Sequence, residues 1–99
     1  MATVKVEDYL ATLRTLKPEL AVRYKVRSIG LFGSVVRGEQ DQASDIDLLV
    51  DFEEDADLLD LTGLALFLEQ VFQREVDIVP RRALRVELRS AILREVIPA

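Results

Sequence analysis

Residues 45–52 read Asp-Ile-Asp-Leu-Leu-Val-Asp-Phe, DIDLLVDF in one-letter code. Asp45, Asp47, Leu49 and Asp51 alternate with Ile46, Leu48, Val50 and Phe52. A period of two puts successive side chains on opposite sides of a β-strand. One side of this strand is wholly apolar and the other is mostly carboxylate. The stretch therefore predicts a sheet with one face turned to a core and an unusually acidic opposite face.

Reading outward, the preceding RSIGLFGS (residues 27–34) is a short buried strand that stops at Gly33. The residues after Ser34 can open a short helix that Gly38 ends. Further upstream, Leu10, Leu13, Leu16, Leu20 and Ala21 recur at three- and four-residue spacings, which predicts a helix from Val6 to about Tyr24. Pro18 marks a kink in it or the first turn of a second helix.

Downstream of the central strand, Asp57 is a suitable N-cap for LLDLTGLALFLEQVF (58–72), a run too long for a strand and read as a buried helix despite Gly63. EVDIVP (75–80) repeats the alternation, with Val76 and Ile78 on the apolar side and Asp77 on the other. The remainder, RRALRVELRSAILREVIP (81–98), reads as a helix with Leu84, Leu88 and Ile92 in one stripe and Val86, Leu93 and Ile97 partly outside it. The order of elements gives an α+β fold with α/β-like alternation: a small three-stranded mixed sheet flanked by helices. With no repeat, low-complexity tract or linker, residues 1–99 are expected to form a single domain.

Composition narrows the chemistry. Ninety-nine residues build one small core, so an open groove is expected rather than a large enclosed cavity. There is no cysteine and no histidine. Disulfides, thiolate nucleophiles, Ser-His and Cys-His pairs and the usual zinc ligands are all excluded. Metal chemistry must use oxygen ligands, which selects magnesium, manganese or calcium. General base work falls to carboxylates. The N-terminus lacks the apolar run of a signal peptide and no stretch is long enough for a membrane span, so a soluble cytoplasmic protein without membrane contact is expected. The net charge is −5, yet five arginines and two acids follow from Arg81 onward. The C-terminal segment is a basic patch of +3 on an acidic body, and direct nucleic-acid binding is not expected.

Successive residues on one side of a strand are about 6.5 to 7 Å apart at Cα, so Asp45 and Asp47 project into one volume. Like charges that close repel unless cations lie between them. Ions in two-metal sites are roughly 3.5 to 4 Å apart, a spacing such a pair can bridge. Asp77 can complete the set if its strand is a neighbour. The alternative is a solvated acidic face. Gly33 at a strand end lets the backbone approach a phosphate, the following helix start offers free N–H groups, and Ser34 adds a hydroxyl. Gly-Ser is also an ordinary turn. Arg37, one helical turn on, can cover the same anion or pair with Glu39 or Asp41.

Ser34, ten intervening residues and Asp45-x-Asp47 match the G-S-x10-D-x-D signature of the DNA polymerase β-like nucleotidyltransferase superfamily. IGLFGSVVRGE, SDIDLLVDFE, VDIVP and the basic RRAL are similar in order and spacing to its minimal nucleotidyltransferase (MNT) branch. The resemblance extends from about residue 7 to residue 97. Val36 departs from it, standing where the branch commonly has alanine, and no catalytic atom is lost by that change.

The resemblance implies the polymerase β-like fold and transfer of AMP from ATP with release of pyrophosphate. It implies that Gly33 and Ser34 hold the β- and γ-phosphates, that Asp45 and Asp47 bind two magnesium ions, and that Asp77 contacts the catalytic metal and takes the acceptor's proton. Arg37 would neutralise triphosphate charge and Ser44 would support the loop leading into the strand. MNT proteins commonly accompany a HEPN protein, and the resemblance implies an antitoxin that adenylylates a tyrosine hydroxyl of a HEPN ribonuclease in a hetero-oligomer. The broad apolar coverage of the last helix fits a protein partner, and fits packing on its own sheet equally well.

Three classes of function remain: an AMP transferase acting on a partner protein, a non-catalytic antitoxin or nucleotide-sensing binding subunit, and a metal-dependent nuclease. Three retained carboxylates argue against the second. The phosphate turn and the acidic body argue against the third.

Overall fold

A computed structural model describes residues 6–38 and 45–99. In chain order the elements are helix α1 (Val6–Tyr24), strand β1 (Val26–Phe32), helix α2 (Ser34–Arg37), strand β2 (Ile46–Phe52), helix α3 (Leu58–Phe72), strand β3 (Val76–Pro80), a 3₁₀ turn (Arg81–Ala83), helix α4 (Val86–Glu95) and strand β4 (Ile97–Pro98). The strands form one mixed sheet in the order β3-β2-β1-β4. β1 runs antiparallel to β2 and to β4, and β2 runs parallel to β3. The architecture is the expected α+β class.

The alternation in β2 decides the layering. Ile46, Leu48, Val50 and Phe52 are buried together with Ile29 and Leu31 of β1, their neighbours on the same face. Tyr9, Leu10, Leu13 and Leu20 of α1 and Leu64 and Leu68 of α3 close over them in a single core. The i, i+3, i+4 and i+7 spacings bring these side chains onto one stripe of each helix. Removing a fully buried leucine from such a cluster costs about 2–5 kcal/mol, so this layer fixes the sheet that carries the opposite face.

α3 starts with a reciprocal cap: the Asp57 carboxylate accepts from the Asp60 N–H at 3.1 Å and the Asp60 carboxylate accepts from the Asp57 N–H at 3.0 Å. Both satisfy donors that a helix start would leave unpaired.

Of the two readings of Pro18 the second helix is excluded, and one further expectation is corrected. α1 continues through Pro18 as one helix and does not divide there. Proline removes one main-chain bond, but Leu13 and Leu20, on either side of it, are both fully buried and keep both parts of the helix packed on the core. The C-terminal segment is also not one helix. It makes a 3₁₀ turn, a ten-residue helix and a short fourth strand, so the sheet has four strands rather than three. Val96 turns extended, with φ −64° and ψ 138°. Ile97 then pairs with Leu31 and Pro98 with Gly30. The Ala99 N–H donates to the Ile29 carbonyl at 2.9 Å.

No described helix is long and apolar enough to cross a membrane.

Candidate active site

β1 ends at Phe32, and Gly33 follows with φ 81° and ψ −150°. Such a conformation is open to glycine and strained for other residues. Space gives a second reason. A Cβ on Gly33 would run into the carboxylate of Asp47, touching its Oδ2, Cγ and Cβ. The turn and the acidic strand therefore meet with no side chain between them.

The four residues after Gly33 form α2, where the Val36 and Arg37 N–H groups both donate to the Gly33 carbonyl at 3.1 Å. Val35 is buried and pins this turn to the core, whereas Ser34 is only half-buried. Gly38, with φ 74°, closes the turn. The first N–H groups of any helix have no acceptor within it, so those of Ser34 and Val35 are the natural donors to an anion lying on the turn.

The three carboxylates come from one end of the sheet. β1 leaves the sheet where β2 and β3 begin, and the register aligns Phe32 with Asp47 and Asp47 with Asp77. Lateral partners in a sheet point to the same face and their strands are about 4.8 Å apart. Asp47 and Asp77 thus face the same way on adjacent strands, and exposed Asp45 lies two residues earlier in the chain. Among the described residues, no group of three or more acids is placed so that it could hold a metal ion as it stands.

Burial first, and then the neighbouring Asp77 and Asp45 carboxylates, push the Asp47 carboxyl above its ordinary range. Glu95 adds to that effect and the Arg37 guanidinium opposes it. A half-buried carboxylate opposed by its neighbours is stabilised by a cation, and hard oxygen donors suit magnesium. The residues present therefore fit a magnesium site in donor chemistry and in charge.

Arg37 projects from α2 and forms an ion pair with Glu95 near the end of α4, at 2.7 Å. The acidic neighbours weighed from sequence, Glu39 and Asp41, lie outside the described residues, as does Ser44. Glu95 itself was not anticipated. It is 58 residues from Arg37 in the chain, and no local pattern marks it. Its signal exists only in three dimensions, where it faces both Arg37 and the acidic cluster.

On the same face, beyond Asp47, the sheet forms a cavity of about 110 Å³. Gly30, Leu49 and Asp51 line it on the strands, with Arg81, Leu93 and Val96 opposite. Sequence reading had seen the breadth of apolar coverage in the last helix but not that part of it overhangs the acidic face.

Known proteins resemble this chain in sequence and in fold. The family described as nucleotidyltransferase domain matches residues 13–98. Protein adenylyltransferase MntA of Thermococcus cleftensis is 42% identical over 97 residues, covering 98% of each chain. A solved structure assigned as a minimal nucleotidyltransferase superposes with a TM-score of 0.82 at 40% identity, covering 100% of both chains. A solved toxin–antitoxin complex with AMP-PNP contains a chain that superposes with a TM-score of 0.68 at 27% identity, covering 85% of this chain and 69% of that one.

Proposed function

The chain belongs to the nucleotidyltransferase domain family, and from that premise we propose that it moves AMP from ATP to a tyrosine hydroxyl of a HEPN-domain ribonuclease, acting as its antitoxin. It is an enzyme of the protein adenylyltransferase kind. The antitoxin assignment draws on the MNT-like motifs in the sequence and on the likeness to a chain of a toxin–antitoxin complex with AMP-PNP. ATP is the substrate, and the reaction takes place in a hetero-oligomer with the toxin.

The observation that carries the reading is the row across three strands: Gly33 against Asp47, and Asp47 beside Asp77. On this reading the β- and γ-phosphates lie on the Gly33-Ser34 turn. Main-chain N–H groups and the Ser34 hydroxyl donate to them, and no Cβ intervenes. Arg37 supplies positive charge on the same side, exchanging part of its pairing with Glu95 for the triphosphate. Two magnesium ions held by Asp45, Asp47 and Asp77 would neutralise the charge that builds on the reacting phosphates.

Asp77 lies across Asp47 from the phosphate turn, where an acceptor hydroxyl would arrive. The hydroxyl oxygen bonds to the α-phosphorus, its proton passes to the Asp77 carboxylate, and the bond from the α-phosphorus to the bridging oxygen of the β-phosphate breaks. Pyrophosphate leaves with that electron pair. With no histidine or cysteine in the chain, a carboxylate is the available base. Ser44 is assigned to support of the loop ahead of β2.

The test is intact mass spectrometry of the toxin after incubation with the protein and magnesium-ATP, beside an Asp45→Asn, Asp47→Asn double variant. A gain of one or more AMP units that is lost in the variant is the expected result. Tight binding of the toxin with no mass gain would move the function to inhibition by complex formation.

A further inference from the structure

The cavity beyond Asp47 has no role in the chemistry described so far, and its position suggests one. We infer that it receives the adenine ring of the nucleotide, with Asp51 reading the exocyclic amino group. This rests on the nucleotidyltransferase reading and adds to it the structural basis for choosing the base.

The argument begins with the reacting axis. In displacement at phosphorus the attacking and leaving oxygens lie roughly in line. Here the leaving pyrophosphate belongs on the β1 side of Asp47, at Gly33, and the acceptor on the β3 side, at Asp77. Both ends of that axis run across the strands. The ribose is the remaining large substituent on the α-phosphorus, so it must leave the axis. Along β2, the next residues on this face are Leu49 and Asp51, each about 6.6 Å further on. That is where the cavity lies.

Its walls suit a purine. At about 110 Å³ it holds far more than the single water that some 10–15 Å³ can accommodate. Leu49 is buried in the floor, and Leu93 and Val96 form the wall from α4 and the residue after it, an apolar slot for a flat ring. Gly30 keeps the slot in shape. A Cβ there would come within 2.9 Å of both the Ile97 carbonyl oxygen and the Val96 side chain, forcing that wall away.

The polar contacts are few. Asp51 is half-buried and its carboxylate can only accept hydrogen bonds when ionised. Adenine offers an amino group as donor at the position where guanine has an oxygen acceptor. A carboxylate that faces this edge of the ring, away from the N1–H and N2 amino group of guanine, accepts from the first and is repelled by the second. Arg81 lines the same cavity, and a guanidinium beside an aromatic ring adds cation–π attraction.

The experiment is an equilibrium titration of the 99-residue chain with the magnesium complexes of ATP, GTP and inorganic tripolyphosphate. Tripolyphosphate reports on the Gly33–Asp47 end without a base. Leu93→Trp, which fills the slot, is expected to weaken ATP about tenfold or more while tripolyphosphate binds as in the wild type. Asp51→Ala is expected to reduce the preference for ATP over GTP by about tenfold, the scale of one hydrogen bond to a charged group. Retained tripolyphosphate binding shows that each variant is folded. Unchanged ATP affinity in Leu93→Trp, together with an unchanged ATP to GTP ratio in Asp51→Ala, would overturn the inference. If the wild type binds neither ATP nor tripolyphosphate, the nucleotidyltransferase reading itself fails.

Discussion

At the scale of single residues, Asp47 carries the strongest tension between stability and chemistry. Its carboxyl is held above the ordinary range by burial and by Asp77 and Asp45, so ionisation is harder in the folded chain than in the unfolded one. The cost is absent below the unfolded value of about 3.9, builds as pH rises towards the folded value, and is complete above it. In chelator at pH 7, Asp47→Asn is therefore expected to melt at a higher temperature than the wild type. The difference should shrink as pH falls towards 4, as followed by circular dichroism. The same variant should lose adenylyl transfer. Much of this was legible in DIDLLVDF, because alternation alone puts Asp45 and Asp47 on one side. The contact of Gly33 with Asp47 was not, since it depends on how an antiparallel neighbour is registered, and register is a property of two strands.

At the scale of elements, the helices differ in how firmly they are held. α1 and α3 contribute fully buried leucines, whereas no residue of α4 is buried, and Val86 and Leu88 are 77% and 50% exposed. α3 also has its double cap. Asp57→Ala removes one half of that cap and is expected to cost about 1 kcal/mol. In a domain of this size that is a fall of about 4–8 °C in Tm, checked by thermal denaturation. The cap was visible in the sequence from Asp57 and the apolar run after it. The C-terminal segment was harder to read. Leu84, Leu88 and Ile92 keep a helical spacing, and nothing local shows that Val96 turns extended to pair Ile97 with Leu31. Tertiary pairing overrode a local pattern there, as it did at Pro18, where buried leucines on both sides outweigh one missing main-chain bond.

At the scale of the whole molecule, the sheet divides the work. One face holds α1 and α3 and supplies the stability, and the other gathers carboxylates at the end where β2 and β3 begin. The cluster is costly without cations, so magnesium should act as a folding ligand. Tm is expected to rise with magnesium concentration in the wild type, reflecting a stability gain that approaches 2–3 kcal/mol at about a hundredfold excess over Kd, and to stay flat in Asp45→Asn, Asp47→Asn. Differential scanning fluorimetry across a magnesium series checks it. The sheet order matters as well. β3 is an edge strand, so the Asp77 side of the site is reached without passing over another strand. A side chain on a large folded acceptor can arrive there without the enzyme opening.

The absence of a side chain between Gly33 and Asp47 also links the fates of two positions during divergence. Any larger residue at 33 collides with the carboxylate at 47, so drift at the turn is blocked for as long as the aspartate stays. Once the aspartate is replaced by something short, the steric block is relieved, although the left-handed backbone still disfavours other residues. Descendants that abandon catalysis should therefore lose the acid first and the glycine afterwards, and the reverse order should be rare. The pair of positions serves as a record of whether a lineage has kept the reaction.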